Sequence, residues 1–221
     1  MVGIQPPTTD VIRSHYFLEL GCDSVIPKER KVIMRKGVDL WDSFKRLFLV
    51  EVRELNDEER KQFWSSRPSR TSMYRDRLLP RIADGLKLEY KPESSENYFR
   101  IDGLYADPDC YGVPQIWIEV ENDPKSSERE MDKLCYVRSP LKVLITVDRW
   151  PDDHLKAEWL RYIRETWSCW PESTDTVYGF IVGEAKNSGD GGESLFFHLF
   201  SVSADGNAAP EEEELVGGFP P

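Results

Sequence analysis

The chain has 221 residues, 39% of them hydrophobic and 12% aromatic, enough apolar material for one sizeable core and too much for a disordered chain. Its formal net charge of −11 speaks against coating nucleic acid by bulk charge, although a local basic surface stays open. No run of 18 apolar residues occurs, and the opening residues lack the basic-then-apolar pattern of a secretory leader, so the expectation is a cytoplasmic protein that does not enter a membrane.

Residues 1 to about 37 are mixed, with Pro6, Pro7 and Pro27, and their element type stays undecided. From Val38 to Leu55, apolar residues at Leu40, Phe44, Leu47, Phe48 and Leu55 follow helical spacing. Asn56 with Glu59 predicts a capping box and a short helix through Trp64. Pro68-Ser69-Arg70 reads as a break. Residues 70–84 read as helical, with Pro80 kinking or ending the helix and Gly85 stopping it.

The period then changes. Residues 86–90, 97–105 and 114–121 alternate as strands do. Residues 123–139 are helical, with Asp123 as N-cap and Pro124 in the first turn. Leu141–Val147 is an apolar strand, 152–167 a second helix, and 176–185 and 194–202 two further strands. Residues 204–221 read as a disordered acidic tail. The order predicts an α/β (α+β) fold with a mixed central sheet flanked by helices. A single domain is expected over 1–203, with a helical part at about 38–85 and a core at about 86–203. The strand–helix–strand unit at 114–147 predicts a parallel crossover at the centre of the sheet.

Four cysteines, Cys22, Cys110, Cys135 and Cys169, form no CxxC pair and read as reduced thiols. His15, His154 and His198 share no metal-ligand spacing.

Carboxylates inside the predicted core strands are the informative feature. Residues two apart on a strand share a face, so Glu119 and Glu121 point the same way, about 7 Å apart. Ile116, Ile118 and Val120 point the other way. Asp102 approaches Glu119 if the strands at 97–105 and 114–121 pair. Grouped buried carboxylates repel and raise one another's pKa, and a divalent cation relieves both costs. Mg²⁺ or Mn²⁺ takes such oxygen ligands and promotes phosphodiester hydrolysis. The plainer alternative leaves Glu119 and Glu121 solvated on a polar outer face and Asp102 in a turn. A central parallel strand has no freely solvated face, which weighs against it.

Strand–Asp, strand–Glu-x-(Lys or Glu), helix, strand resembles the core of the PD-(D/E)xK nuclease superfamily over residues 86–148. The resemblance implies a restriction-endonuclease-like fold, with Asp102 and Glu119 as ligands to Mg²⁺ (or Mn²⁺) and the Val120 carbonyl as a third. The last catalytic position falls on Glu121, where the family usually carries Lys. A lysine from the following helix, Lys133 or Lys125, is the expected substitute for it. Arg129 completes a stripe with these two, while Met131, Leu134 and Cys135 face the core. Expected DNA contacts are Arg70, Arg75, Arg100 and Lys125. Arg70 and Arg75 belong to a segment that also holds Arg67, Arg77 and Arg81, and all of these equally suit an ordinary solvated surface. Two functions follow: a metal-dependent DNA endonuclease, or a nuclease-like protein without activity that serves as an acidic protein-interaction module. A homodimer or a protein partner fits either.

Overall fold

The computed structural model describes residues 35–92, 101–109, 112–123, 126–148, 173–187, 193–210 and 212–219, with 157–158, 161–162 and 165–167. Arg100 and Lys125 lie outside them, as do His15, His154, Cys22, Cys110, Cys169 and most of the helix expected at 152–167. Of that helix, the described residues are helical.

The first helix, α1 (Gly37–Arg53), buries the apolar stripe seen in the sequence, including Leu40, Trp41, Phe44 and Phe48. α2 (Asp57–Ser65) opens on the predicted capping box: Asn56 Oδ1 accepts from the Glu59 N–H, and Glu59 accepts from the Asn56 N–H, each at 2.9 Å. The break expected at Pro68 is instead a helix start. Ser66 caps α3 (Arg67–Met73), and Pro68 sits in its first turn, where no N–H is needed.

Pro80 neither ends nor breaks the helical run. A π segment, Tyr74–Leu78, widens the turn just before it, and α4 (Leu79–Leu86) follows with Pro80 in its opening turn. The wider turn accommodates the missing donor and the ring. Gly85 is not the stop. The chain leaves the helix at Lys87, which takes the left-handed conformation at φ 58°.

Seven strands then form one sheet in sequence order: β1 (Glu89–Pro92), β2 (Gly103–Asp107), β3 (Val113–Glu121), β4 (Leu141–Asp148), β5 (Val177–Asn187), β6 (Glu193–Ser203) and β7 (Glu212–Phe219). β3, β4 and β5 run parallel, and the outer pairings are antiparallel. Between β3 and β4 the chain crosses through α5 (Ser127–Tyr136), as the sequence predicts. This helix begins later than expected, with Ser126 rather than Asp123 at its N-cap.

The sheet separates two cores. On one face, α1 and α4 pack with Ile116, Ile118, Val143 and Ile145. On the other, Met131, Leu134 and Cys135 of α5 join Leu144, Phe180 and Trp167, whose ring stacks on Tyr178 and Phe180. Among the described residues no helix is long and apolar enough to cross a membrane.

The expected disordered tail is corrected over Glu212–Phe219. Its acids alternate between the two faces of β7 and find cations on each. Glu212 pairs with Lys45 and Glu214 with Arg53 of α1, both at 2.6 Å, while Glu213 reaches Lys186 at 3.1 Å. Val216 is buried in the α1 core. A run of like charges in sequence is therefore an ordinary two-faced strand in space.

Gly179 fixes how α1 meets the sheet. A Cβ there would penetrate the Trp41 ring, which is itself buried. Gly179→Ala is expected to destabilise the fold by about 1–3 kcal/mol through this overlap. A thermal melt matching wild type would show that Trp41 moves aside freely.

Candidate functional site

The register of β2 on β3 decides where the acids meet. Gly103 is opposite Ile118, which brings Asp102, just before β2, beside Glu119. Asp102 is clasped to β3 at two points. The Asp102 N–H donates to Glu119 Oε2 at 3.4 Å, and Asp102 Oδ2 accepts from the Val120 N–H at 2.8 Å. The alternation read from the sequence holds: Ile118 faces the α1 core, and Glu119 faces α5.

Glu119 is fully buried. α5 brings two charged groups to it, one turn apart. Lys133 Nζ lies 3.4 Å from Glu119 Oε1 and is also bonded to Glu130. Lys133, one of the two lysines expected from this helix, thus lies beside Glu119. Glu130 was missed. Its signal was its position three residues before Lys133, on the same helical face. Tyr90 was missed too. Its ring packs against Gly103, and its buried hydroxyl makes no hydrogen bond among the described residues.

Burial is the first cause pushing the Glu119 carboxyl far above the carboxylate range, followed by the Asp102 and Glu130 charges, with Lys133 opposing. Asp102 is also raised, first by burial, against the Val120 N–H and Glu119, which favour its charge. Burial opposes the Lys133 ammonium, but Glu130 and Glu119 outweigh it and hold its pKa above the usual lysine value. Tyr90 is pushed up to about 12 by burial and then by Asp102.

Glu119 Oε1 is buried and accepts no hydrogen bond among the described residues. An orphaned carboxylate oxygen beside a second carboxylate suits a hard cation. No three or more His, Cys, Asp or Glu side chains among the described residues are grouped to hold an ion. A Mg²⁺ ion here would take Asp102 and Glu119 and complete its shell from water and substrate, as this ion commonly does.

Glu121 does not join the group. Its Oε1 accepts from the Asp123 N–H at 2.7 Å and ties the turn after β3. The arginine segment is also largely engaged within the fold. Arg70 donates to Asn122 Oδ1 at 2.9 Å and to the Trp64 carbonyl, and it lies over the Trp64 ring. Arg67 pairs with Asp123, Arg75 with Asp76, Arg77 with Glu59, and Arg81 with Glu51 and Glu54. Arg75, with half of its side chain exposed, is the expected DNA contact best placed to reach outward.

No protein-family model matches the chain, and no curated protein matches its sequence.

The raised carboxyls set a pH dependence. Folded Asp102 and Glu119 hold protons more tightly than in the unfolded chain. From about the ordinary Glu value of 4.5 upward, the folded state therefore binds more protons, and stability falls as pH rises. In chelator, the melting temperature is expected to drop between about pH 5 and pH 8, and Glu119→Gln is expected to flatten that drop. Melts of both proteins across this range check it; parallel slopes would remove the site from the explanation.

Proposed function

We propose that the chain is a metal-dependent phosphodiester hydrolase of the DNA endonuclease type. The observation that supports this most directly is the buried Glu119 carboxylate clasped to Asp102, with the Lys133 ammonium 3.4 Å from its orphaned oxygen. The resemblance to the PD-(D/E)xK pattern adds the substrate class, DNA.

Asp102 and Glu119 would hold Mg²⁺ or Mn²⁺. When bound, that ion supplies charge to offset the phosphate and lowers the pKa of a water in its shell. The remaining work falls to the chain's own residues. The clasp between Asp102 and the Val120 N–H fixes one carboxylate before any ligand arrives, so little reorganisation is needed. Lys133 is anchored by Glu130 and reaches the same spot. From there its ammonium orients the attacking water and stabilises negative charge building on the phosphate oxygens. The water oxygen forms the new P–O bond as the bond to the leaving oxygen breaks; the water gives its proton to bulk solvent, and the leaving oxygen takes one from solvent. Glu130 holds the lysine in place; it is a positioning residue.

A second reading, the acidic protein-interaction module, is favoured by the net charge of −11 and by the internal pairing of the arginines. Metal binding separates the two. Calorimetry with Mn²⁺ is expected to show binding to wild type and a loss of at least about tenfold in Asp102→Ala. Negligible, equal heats in both proteins favour the interaction module. With Mg²⁺ or Mn²⁺ and plasmid or single-stranded DNA, Lys133→Ala is expected to cut about a hundredfold more slowly. Glu119→Gln is expected to abolish cutting; full activity in that variant would assign the cleavage to a contaminant.

A further inference from the structure

The opposite end of the parallel strands contains a cavity of about 560 Å³. It touches Val113 and Pro114 at the start of β3, five to six residues before Glu119, or about 16–20 Å along the strand. The cavity is therefore separate from the carboxylate site.

Its wall carries Arg35, Lys36 and Arg138. All three are exposed, and among the described residues none pairs with a carboxylate. Each is held by its backbone or by a neutral partner. Arg35 Nη1 donates to the Leu86 carbonyl at 2.9 Å. Lys36 is the N-cap of α1. The Arg138 carbonyl accepts from Trp117 Nε1 at 3.3 Å, which fixes the chain beneath its side chain. The floor is rigid as well. Gly37 donates to the Asp175 carbonyl, and a Cβ at Gly37 would strike the backbone of Pro140 and Asp175. The hydroxyls of Ser139 and Thr176 are already used on the Leu141 and Ser139 carbonyls, which leaves the three cations and the Ser173 hydroxyl, an acceptor from the Asp175 N–H, as the donors the wall offers.

Three cations and one acid, Asp175, line the hollow, and among the described residues none of the three cations pairs with a carboxylate, so a net positive charge is left there in a chain that has 40 acidic residues. A multivalent anion offsets that charge, and a concave wall focuses the field toward it. The volume lies within the range of small-molecule sites, far beyond what one phosphate group fills. Val113, Pro114 and Pro140 give the cavity an apolar side suited to a flat ring. We infer that this cavity binds a nucleoside diphosphate or a ligand of that size and charge, with its phosphates on Arg35, Lys36 and Arg138 and its base against Val113 and the two prolines.

The test is calorimetry of the full chain with ADP in chelator, so that metal-bound nucleotide at the carboxylates does not contribute. Arg138→Ala is expected to weaken ADP binding about tenfold, and Lys36→Ala with Arg138→Ala further, with thermal melts confirming that both proteins fold. Asp102→Ala is expected to leave ADP binding unchanged, which separates this site from the hydrolase reading. Adenosine is expected not to bind, and pyrophosphate to bind more weakly than ADP. No ADP binding, binding indifferent to the cation substitutions, or binding lost only in Asp102→Ala overturns the proposal. Pyrophosphate binding as tightly as ADP overturns the place given to the base.

Discussion

Glu119 is a carboxylate with no solvent exposure, set on a central strand and facing Asp102 from one side and Glu130 and Lys133 from the other. Leaving such a group charged and unpaired costs several kcal/mol, so a fold carries it only if neighbours offset the cost. Here the offset is partial. The Asp102 N–H and the Lys133 ammonium favour the charge, while Asp102 and Glu130 oppose it. One oxygen is left without a hydrogen bond. The rest of the site is arranged around that residual deficit. It explains why α5 turns a lysine inward on an otherwise apolar contact and why Asp102 is held by a backbone amide of the same strand.

The sheet makes this juxtaposition. Antiparallel pairing of β2 with β3 brings Asp102 beside Glu119, and the parallel crossover returns α5 over the same strand. Because a slip of one residue would turn Glu119 into the α1 core, the apolar residues on the other face of β3 hold the register. Packing on one side of the sheet thus positions polar chemistry on the other.

Six of the seven strands, the crossover and the approach of Asp102 to Glu119 were legible because strand alternation is a local pattern. Glu130 was not, since a helical glutamate next to lysines reads as surface until the helix is docked. The bond Glu121 makes was hidden for the complementary reason: it shares a face with Glu119, but the turn after β3 offers its carboxylate a nearby donor in the Asp123 N–H. The pairing of the arginine segment was hidden on the same ground, because the partners Glu51, Glu54, Glu59 and Asp123 come from other elements. Pro80 and Pro68 were misjudged because a π turn and an N-terminal helical position each tolerate proline. The acidic tail shows the limit of composition. Charge density says nothing of alternation against cations that lie about 160 residues earlier.

The contacts of α1 carry a consequence for the order of synthesis. This helix is made first among the described elements, yet Gly37 bonds to Asp175, Trp41 rests on Gly179, and Lys45 and Arg53 meet Glu212 and Glu214. Part of its apolar stripe meets early partners, Phe48 on Tyr74 and Phe44 on Tyr105, but the part that rests on β5 and β7 has its final partners only once those strands are made. Local contacts such as β2 with β3 can close early, whereas the contacts of α1 with β5 and β7 need much longer loop closures. Among the described elements, the last strand is one of those that fasten the first helix.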